Sequence, residues 1–577
     1  MKRLILIIYV LVSAVLWSVS IPADVAQHLA SVKVQQLYPS LTIGSCEMLI
    51  SPPNELLAYV YHLKPTGYII IGAKEELPPL YAYSGSSDYV SLEFGNPLAD
   101  IAIADLNYRL QSDDEAARNR EAWQSAFYTD RIEQWPPAGY SLTEGWVKTL
   151  WTQSFPFNMM CPLDTVTGNR SVAGCPAIAM GQIVKYHHTL NGTRLNDADD
   201  YYHSYSGRNY WVDNDFATVG FPSYPQLNGY LDEINNRFRY QQDLNDSLDA
   251  AIVFAVGSAL KQVYSSLGSG TFAVSQAYNA FLRFGFSDAE LLTETSPDLY
   301  PRMVQNIKNG LPVHFAVVTP AWDSGHNVVV DGYNANNYFH LNFGWGGANN
   351  GWLLLPQQMP YNLTVVEGAV VDVKPIEYVL AVPDTLNFSY DSNQVLEIYN
   401  MHNDTIIVEA LLIGSGLEGA NIIMLPQIPL PASIPANGMM SFSINFNNTA
   451  QLPNLEGNLR LILNNSAVNI PVRYANASAL DDESAVPALG AVSVYPNPFC
   501  QSCKIKLESK NEHKLKLEVF NIKGQKLYSD ELMPGAQPQE FIWKGNDSMG
   551  NPVPSGIYLY RLSGATRSIS GKLLKLR

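Results

Sequence analysis

The chain has 577 residues, enough for roughly three to five domains and far more than one hydrophobic core can organise. Its 47% hydrophobic content excludes wholesale disorder, and its net charge of −17, from 36 Lys+Arg against 53 Asp+Glu, argues against nucleic acid as a partner. Five cysteines (Cys46, Cys161, Cys175, Cys500 and Cys503) are too few to staple so long a chain, so a cysteine that matters here acts chemically.

Lys2 and Arg3 precede an apolar run from Leu4 to Trp17 and the small residues Ser18 to Ser20, which reads as a signal peptide over residues 1–20. The run is shorter than a bilayer span and no later candidate follows, so an exported, soluble product without a stable membrane span is expected. Residues 21–140 read as a small α+β domain. Its hairpin pairs Leu56–Leu63 with Tyr68–Ile71 around Lys64-Pro65-Thr66-Gly67 and is expected to carry a core of its own, and a helix is expected over Asp100–Gln124. Residues 141–375 form the densest module. Helices are expected at Cys175–His188, apolar around its whole circumference, and at Asp249–Ser266; strands follow at Pro312–Val318, Asn327–Asp331, Tyr338–Asn342 and Trp352–Leu355. Helices first and strands after is an α+β order. Short alternating runs between 379 and 474 read as an Ig-like β-sandwich, Ala475–Gly490 as a polar linker, and 491–577 as a second sandwich.

Chemistry concentrates at Ala173-Gly174-Cys175-Pro176. Proline tolerates only the first turn of a helix, so Cys175 belongs at a helix N-terminus, where the helix dipole favours a thiolate. A histidine distant in sequence has to act as its base, and His326, opening the Asn327–Asp331 strand, lies at a spacing that suits a papain-like order. Composition alone does not single it out from ten histidines, and a lone Cys and a lone His are more often ordinary core residues.

Three blocks, Gly174-Cys175 through Lys185-Tyr186-His187, Gly325-His326-Asn327 through Gly332-Tyr333, and Tyr338 through Gly344-Trp345-Gly346-Gly347, resemble in order and spacing the streptopain family of papain-fold cysteine peptidases. Trp151 to Asn158 and Gly310-Leu311-Pro312-Val313 are similar to the same family. The resemblance implies an α+β, papain-like catalytic module with Cys175 as nucleophile, His326 as general base and acid, and Gln153 as the side-chain oxyanion donor. It also implies Asn342 as the residue orienting His326 and Trp345 as its shield from water. Phe343 stands where the family usually has Trp, and Pro176 where it often has Val.

Gly67 to Gly72 with Leu80 to Ser84 resembles the family's inhibitory propeptide, which implies a zymogen whose own prodomain blocks the cleft. Val494 to Phe499, Trp543 to Asp547 and Ser555 to Leu562 resemble the C-terminal sorting domain of the type IX secretion system, which implies that machinery as a partner and a secreted or surface-attached product. The expected function is therefore a secreted cysteine endopeptidase acting on protein or peptide substrates, with no cofactor and no metal. The competing expectation is an inactive surface-binding or adhesion protein on the same modules, and a transpeptidase or amidase would use the same pair. Cys500 and Cys503 read as a local disulfide or free thiols, and His187-His188 as structural.

Overall fold

The computed structural model describes residues 19–90, 96–128, 133–318, 325–356, 365–475 and 492–576, apart from short stretches within 384–453 and 508–567. The expected signal peptide and the linker after Ala475 lie outside these residues. The chain forms two compact units, Met1–Asn476 and Ala477–Arg577.

In the first unit, α1 (Ala23–Leu37) precedes four antiparallel strands, β1 (Thr42–Ser51), β2 (Glu55–Lys64), β3 (Tyr68–Gly72) and β4 (Leu80–Ser84). β2 and β3 are the expected hairpin, with Tyr61 opposite Ile69. Its alternating apolar residues bury two faces: Tyr59, Tyr61, Ile69 and Ile71 pack with Leu29 and Ala30 of α1, while Ala58, Val60, Tyr68 and Ile70 face the other way. The single helix expected over Asp100–Gln124 is two, α2 (Pro97–Arg109) and α3 (Asp113–Ser125). The Ser112 side chain accepts the Glu115 N–H at 3.3 Å, and three acidic residues fill the next turn, so the polar stretch that periodicity reads through is a fresh N-terminus.

The following helices are α4 (Cys175–Tyr186), α5 (Tyr224–Arg239), α6 (Asp246–Ala259) and α7 (Val274–Arg283). Next come β5 (Glu290–Thr293), α8 (Leu299–Lys308), β6 (Val313–Val318), β7 (Gly325–Asn334), β8 (Tyr338–Asn342), β9 (Gly351–Leu354) and β10 (Val366–Val371). The helix expected from Asp249 begins earlier, where the Asn245 side chain accepts the Leu248 N–H, and stops at Ala259.

All ten strands join one sheet in the order β1-β2-β3-β4-β9-β8-β7-β6-β10-β5. The joint is the β4–β9 ladder, with Tyr83 opposite Trp352 and Ala82 opposite Leu353. Residue 140 therefore marks no break in the sheet, and the hairpin does not own its core: Val60, Tyr68 and Ile70 share one cluster with Phe315, Val330, Phe339 and Leu353. Strand alternation gives the β6–β7 part of the sheet two distinct faces. Ala316, Val329 and Val370 pack with α4, α5 and α6, whereas Val317, Val328, Val330 and Val371 pack with α2 and α8.

Two further sheets, of four and five strands, share one core between Tyr378 and Tyr474, which makes a β-sandwich. It is fastened to α5 by Arg460, whose guanidinium donates to the Phe238 and Arg239 carbonyls at 2.7 Å, where a helix end presents unpaired acceptors. In the second unit a three-stranded and a four-stranded sheet enclose Ile505, Leu517, Val519, Trp543 and Leu562.

Candidate active site

Gly174 has φ of +85°, and a Cβ there would meet the Gln262 Oε1 at 2.9 Å, so only glycine delivers the chain into α4 at this angle. Cys175 follows as the first helical residue, with Pro176 in the turn where its missing N–H costs nothing. Residues Cys175 to Val184 are all buried, which fixes the helix in the core and the thiol at its head. The Asn327 backbone N–H donates to the Cys175 Sγ at 3.4 Å. Burial pushes the thiol up, while the Asn327 backbone, the Cys175 N–H and the Asn327 side-chain amide pull it back down.

His326 is the residue before Asn327, and alternation therefore turns it to the opposite face of β7. Its ring shares a small cavity with Asp100, Ile101 and Ala104 of α2, and burial pushes the imidazole down to about 4. Among the described residues no hydrogen bond joins His326 to Cys175. In this full-length chain the two are sequence neighbours in space, yet the imidazole faces α2 and the thiol faces β7 from the α4 side.

Gln153 lies beside the nucleophile: its carbonyl accepts the Ala173 N–H at 2.8 Å, two residues before Cys175. Trp345 is brought to His326, with ring centroids 6.2 Å apart and nearly perpendicular. The loop carrying it presses on α4, because Gly344, at φ of +68°, would place a Cβ 2.6 Å from Ile178. Asn342 departs from the expectation that it orients His326. Its amide donates to the Thr149 carbonyl at 2.9 Å and accepts from the Gly344 N–H at 3.0 Å and from Gln182 at 3.3 Å, so it ties α4, β8 and the Thr149 segment together. Phe343 is buried and keeps the apolar wall.

Sequence reasoning missed Asn327, the donor to the thiol, and His314, whose Nε2–H donates to the Asn327 Oδ1 at 2.7 Å. The available signal was a histidine inside the apolar strand Val313–Val318, since a buried polar side chain needs a partner. Elsewhere, Cys500 and Cys503 are free thiols rather than a disulfide, and Cys161 is buried with its thiol pushed up to about 12. The described residues contain no cluster of metal-ligating side chains. No helix among them is long and apolar enough to cross a membrane.

With thiol, candidate oxyanion donor and aromatic loop gathered at the head of α4, the relatives become informative. Residues 151–353 match the Peptidase C10 family. The chain carries a C10-family cysteine peptidase domain. Streptopain from Streptococcus pyogenes is 24% identical over 344 residues, covering 55% of this chain and 80% of that protein. The thiol protease/hemagglutinin PrtT of Porphyromonas gingivalis is 26% identical over 215 residues, 35% of this chain and 22% of that one. The Prevotella intermedia prointerpain A fragment, 23% identical with a TM-score of 0.38, covers 57% of this chain and 100% of its own. Beyond the C10 domain, residues 493–575 match the secretion system C-terminal sorting domain, so the peptidase is a secreted, surface-directed product of type IX export.

Proposed function

We propose that the chain is a secreted cysteine endopeptidase of papain-like fold, made as a zymogen in which residues 21–140 act as an inhibitory prodomain. The reading is carried by one observation: the Cys175 thiol at the head of α4 lies against the backbone of the residue that follows His326, while the His326 imidazole faces α2 of the prodomain. In the latent chain burial holds the thiol up and the imidazole down, so the proton stays on sulfur. Removal of α2 uncovers the His326 face and frees the start of β7 to turn the imidazole toward Cys175.

His326 then takes the thiol proton, and the thiolate attacks the scissile carbonyl carbon. The Cys175 N–H and the Gln153 amide donate to the oxyanion that forms, in a site already held in place by the Gln153–Ala173 backbone bond. The imidazolium protonates the leaving amine, leaving an acyl-enzyme that water hydrolyses with His326 again as base. Trp345 packs beside the imidazole and limits its access to water, and the geometry calls on no cofactor.

Active-site labelling with E-64, followed by peptide mapping, tests this. The full-length chain should resist labelling at Cys175, and the chain with residues up to about 140 removed by limited proteolysis should label and hydrolyse peptides. Absence of both after removal would leave the modules as a surface-binding or adhesion protein, and transfer of the acyl group to an added amine in place of water would make the enzyme a transpeptidase.

A further inference from the structure

Behind the nucleophile, on the face of the sheet away from α2, stands a second histidine that the reaction just described does not use. His314 is fully buried in β6, its ring set edge-on to Phe281 at 5.8 Å, and its Nδ1 has no hydrogen-bond partner. Its Nε2 lies 2.7 Å from the Asn327 Oδ1. An amide oxygen only accepts, so His314 is the neutral tautomer with the proton on Nε2 and an unprotonated Nδ1 in apolar surroundings. With its oxygen engaged by His314, the Asn327 amide has only its NH2 end left for the sulfur.

We infer that Asn327 is a positioning residue for the nucleophile, holding the Cys175 sulfur with its backbone N–H and side-chain NH2, and that His314 sets this orientation by fixing the amide oxygen. A reversed amide would aim an oxygen lone pair at the sulfur and disfavour the thiolate. The orientation thus stabilises the reactive anion independently of His326, which faces the other side of the sheet. This rests on the reading of Cys175 as nucleophile.

Other titratable groups do not offer the same service. On β7 His326 faces α2 and Asp100 across its cavity, and at the far end of α4 Lys185 is paired with Asp249 of α6 at 2.7 Å. Gln262 and Ser269 close the Gly174 side without charge. What balances the burial of the sulfur is a set of neutral donors, and two of them belong to Asn327.

The test is the pH dependence of Cys175 alkylation by iodoacetamide in the full-length chain, followed by peptide mass mapping. Shielding by the prodomain lowers the rate at every pH without moving the midpoint, so the midpoint reports the thiol itself. Asn327→Ala should raise the midpoint by about one unit, with about tenfold slower alkylation at neutral pH. Asn327→Asp, of the same shape, should raise it further by replacing a donor with a carboxylate. His314→Phe should move the midpoint in the same direction, and His314→Gln, which can present an N–H from the same place, should restore it. Thermal melts identify any variant that has not folded, and the two histidine variants keep the comparison intact if Asn327→Ala is one. An unmoved midpoint in Asn327→Asp, or equal behaviour of His314→Gln and His314→Phe, overturns the inference. A chain that hydrolyses no peptide yet shows these shifts would sink the peptidase reading and leave this one standing.

Discussion

The two faces of the β6–β7 sheet are built from different parts of the chain. The Cys175 face is completed within the C10 domain, by α4, α5, α6 and α7 packed on Ala316, Val329 and Val370. The His326 face is completed only when the prodomain lends α2, whose Leu98, Ile101, Ala102 and Leu106 are buried against Val317, Val328 and Val330. One face is permanent and the other is borrowed. In the proposed zymogen, latency then comes from holding nucleophile and base on opposite sides of one strand, a different device from plugging a finished cleft.

The sharpest way to break this comparison is on the permanent face. Cys175→Ala should reduce peptidase activity and self-processing to background while the melting temperature stays close to that of the parent, because a small thiol at a helix start contributes little to packing. His326→Ala should cost nearly as much, and the double variant no more than either single one, since nucleophile and base act as a unit; additive losses in kcat/KM would separate the two residues. Next in size, Gln153→Ala should lower kcat by about 10²- to 10³-fold with KM little changed, the effect of deleting one oxyanion donor. An unchanged kcat would remove Gln153 from the site.

On the borrowed face, Ile101→Ala removes a buried side chain from α2 and should weaken the seam by about 2 to 4 kcal/mol. The full-length chain should then label with E-64 at Cys175 faster than the parent and melt earlier. Equal labelling rates would mean that α2 does not govern His326.

The smallest effect is that of acid. Burial pushes His187, His314 and His326 down to about 4 from an ordinary value of 6.5, so between these pH values the unfolded chain binds protons that the folded chain refuses. Stability should fall as pH drops through that window, partly offset by His340, which Asp331 at 2.7 Å holds above the ordinary value. Melting temperatures flat from about pH 7 to 4 would contradict this, and His314→Gln should make the slope shallower.

Much of the site was legible in the sequence because local rules govern it. Gly-Cys-Pro before an apolar run dictates a helix start at Cys175, and alternating aromatic and β-branched residues around a Pro/Gly turn dictate the β2–β3 hairpin. What stayed hidden depends on long-range register. Whether His326 or Asn327 faces α4 is a question of strand parity, and a shift of one residue exchanges them. Asn342 sits where the family resemblance places an orienting residue, yet its amide atoms are taken by Thr149, Gln182 and Gly344, partners that no spacing rule brings together. The β4–β9 ladder was invisible for the same reason: both strands read as ordinary edges until they meet.

That ladder has a consequence for what happens at excision. The Tyr68 hydroxyl and the Asn349 carbonyl it donates to are 281 residues apart, so the seam closes late in folding and is held afterwards by the tether of the chain itself. A tether keeps its two ends at an effective concentration of about millimolar, and a single cut replaces that with the actual concentration of released prodomain. For a protein delivered outside the cell the surrounding volume is practically without limit. Dilution then carries the fragment away, so one hydrolysed bond sets the direction of activation without any further input of energy.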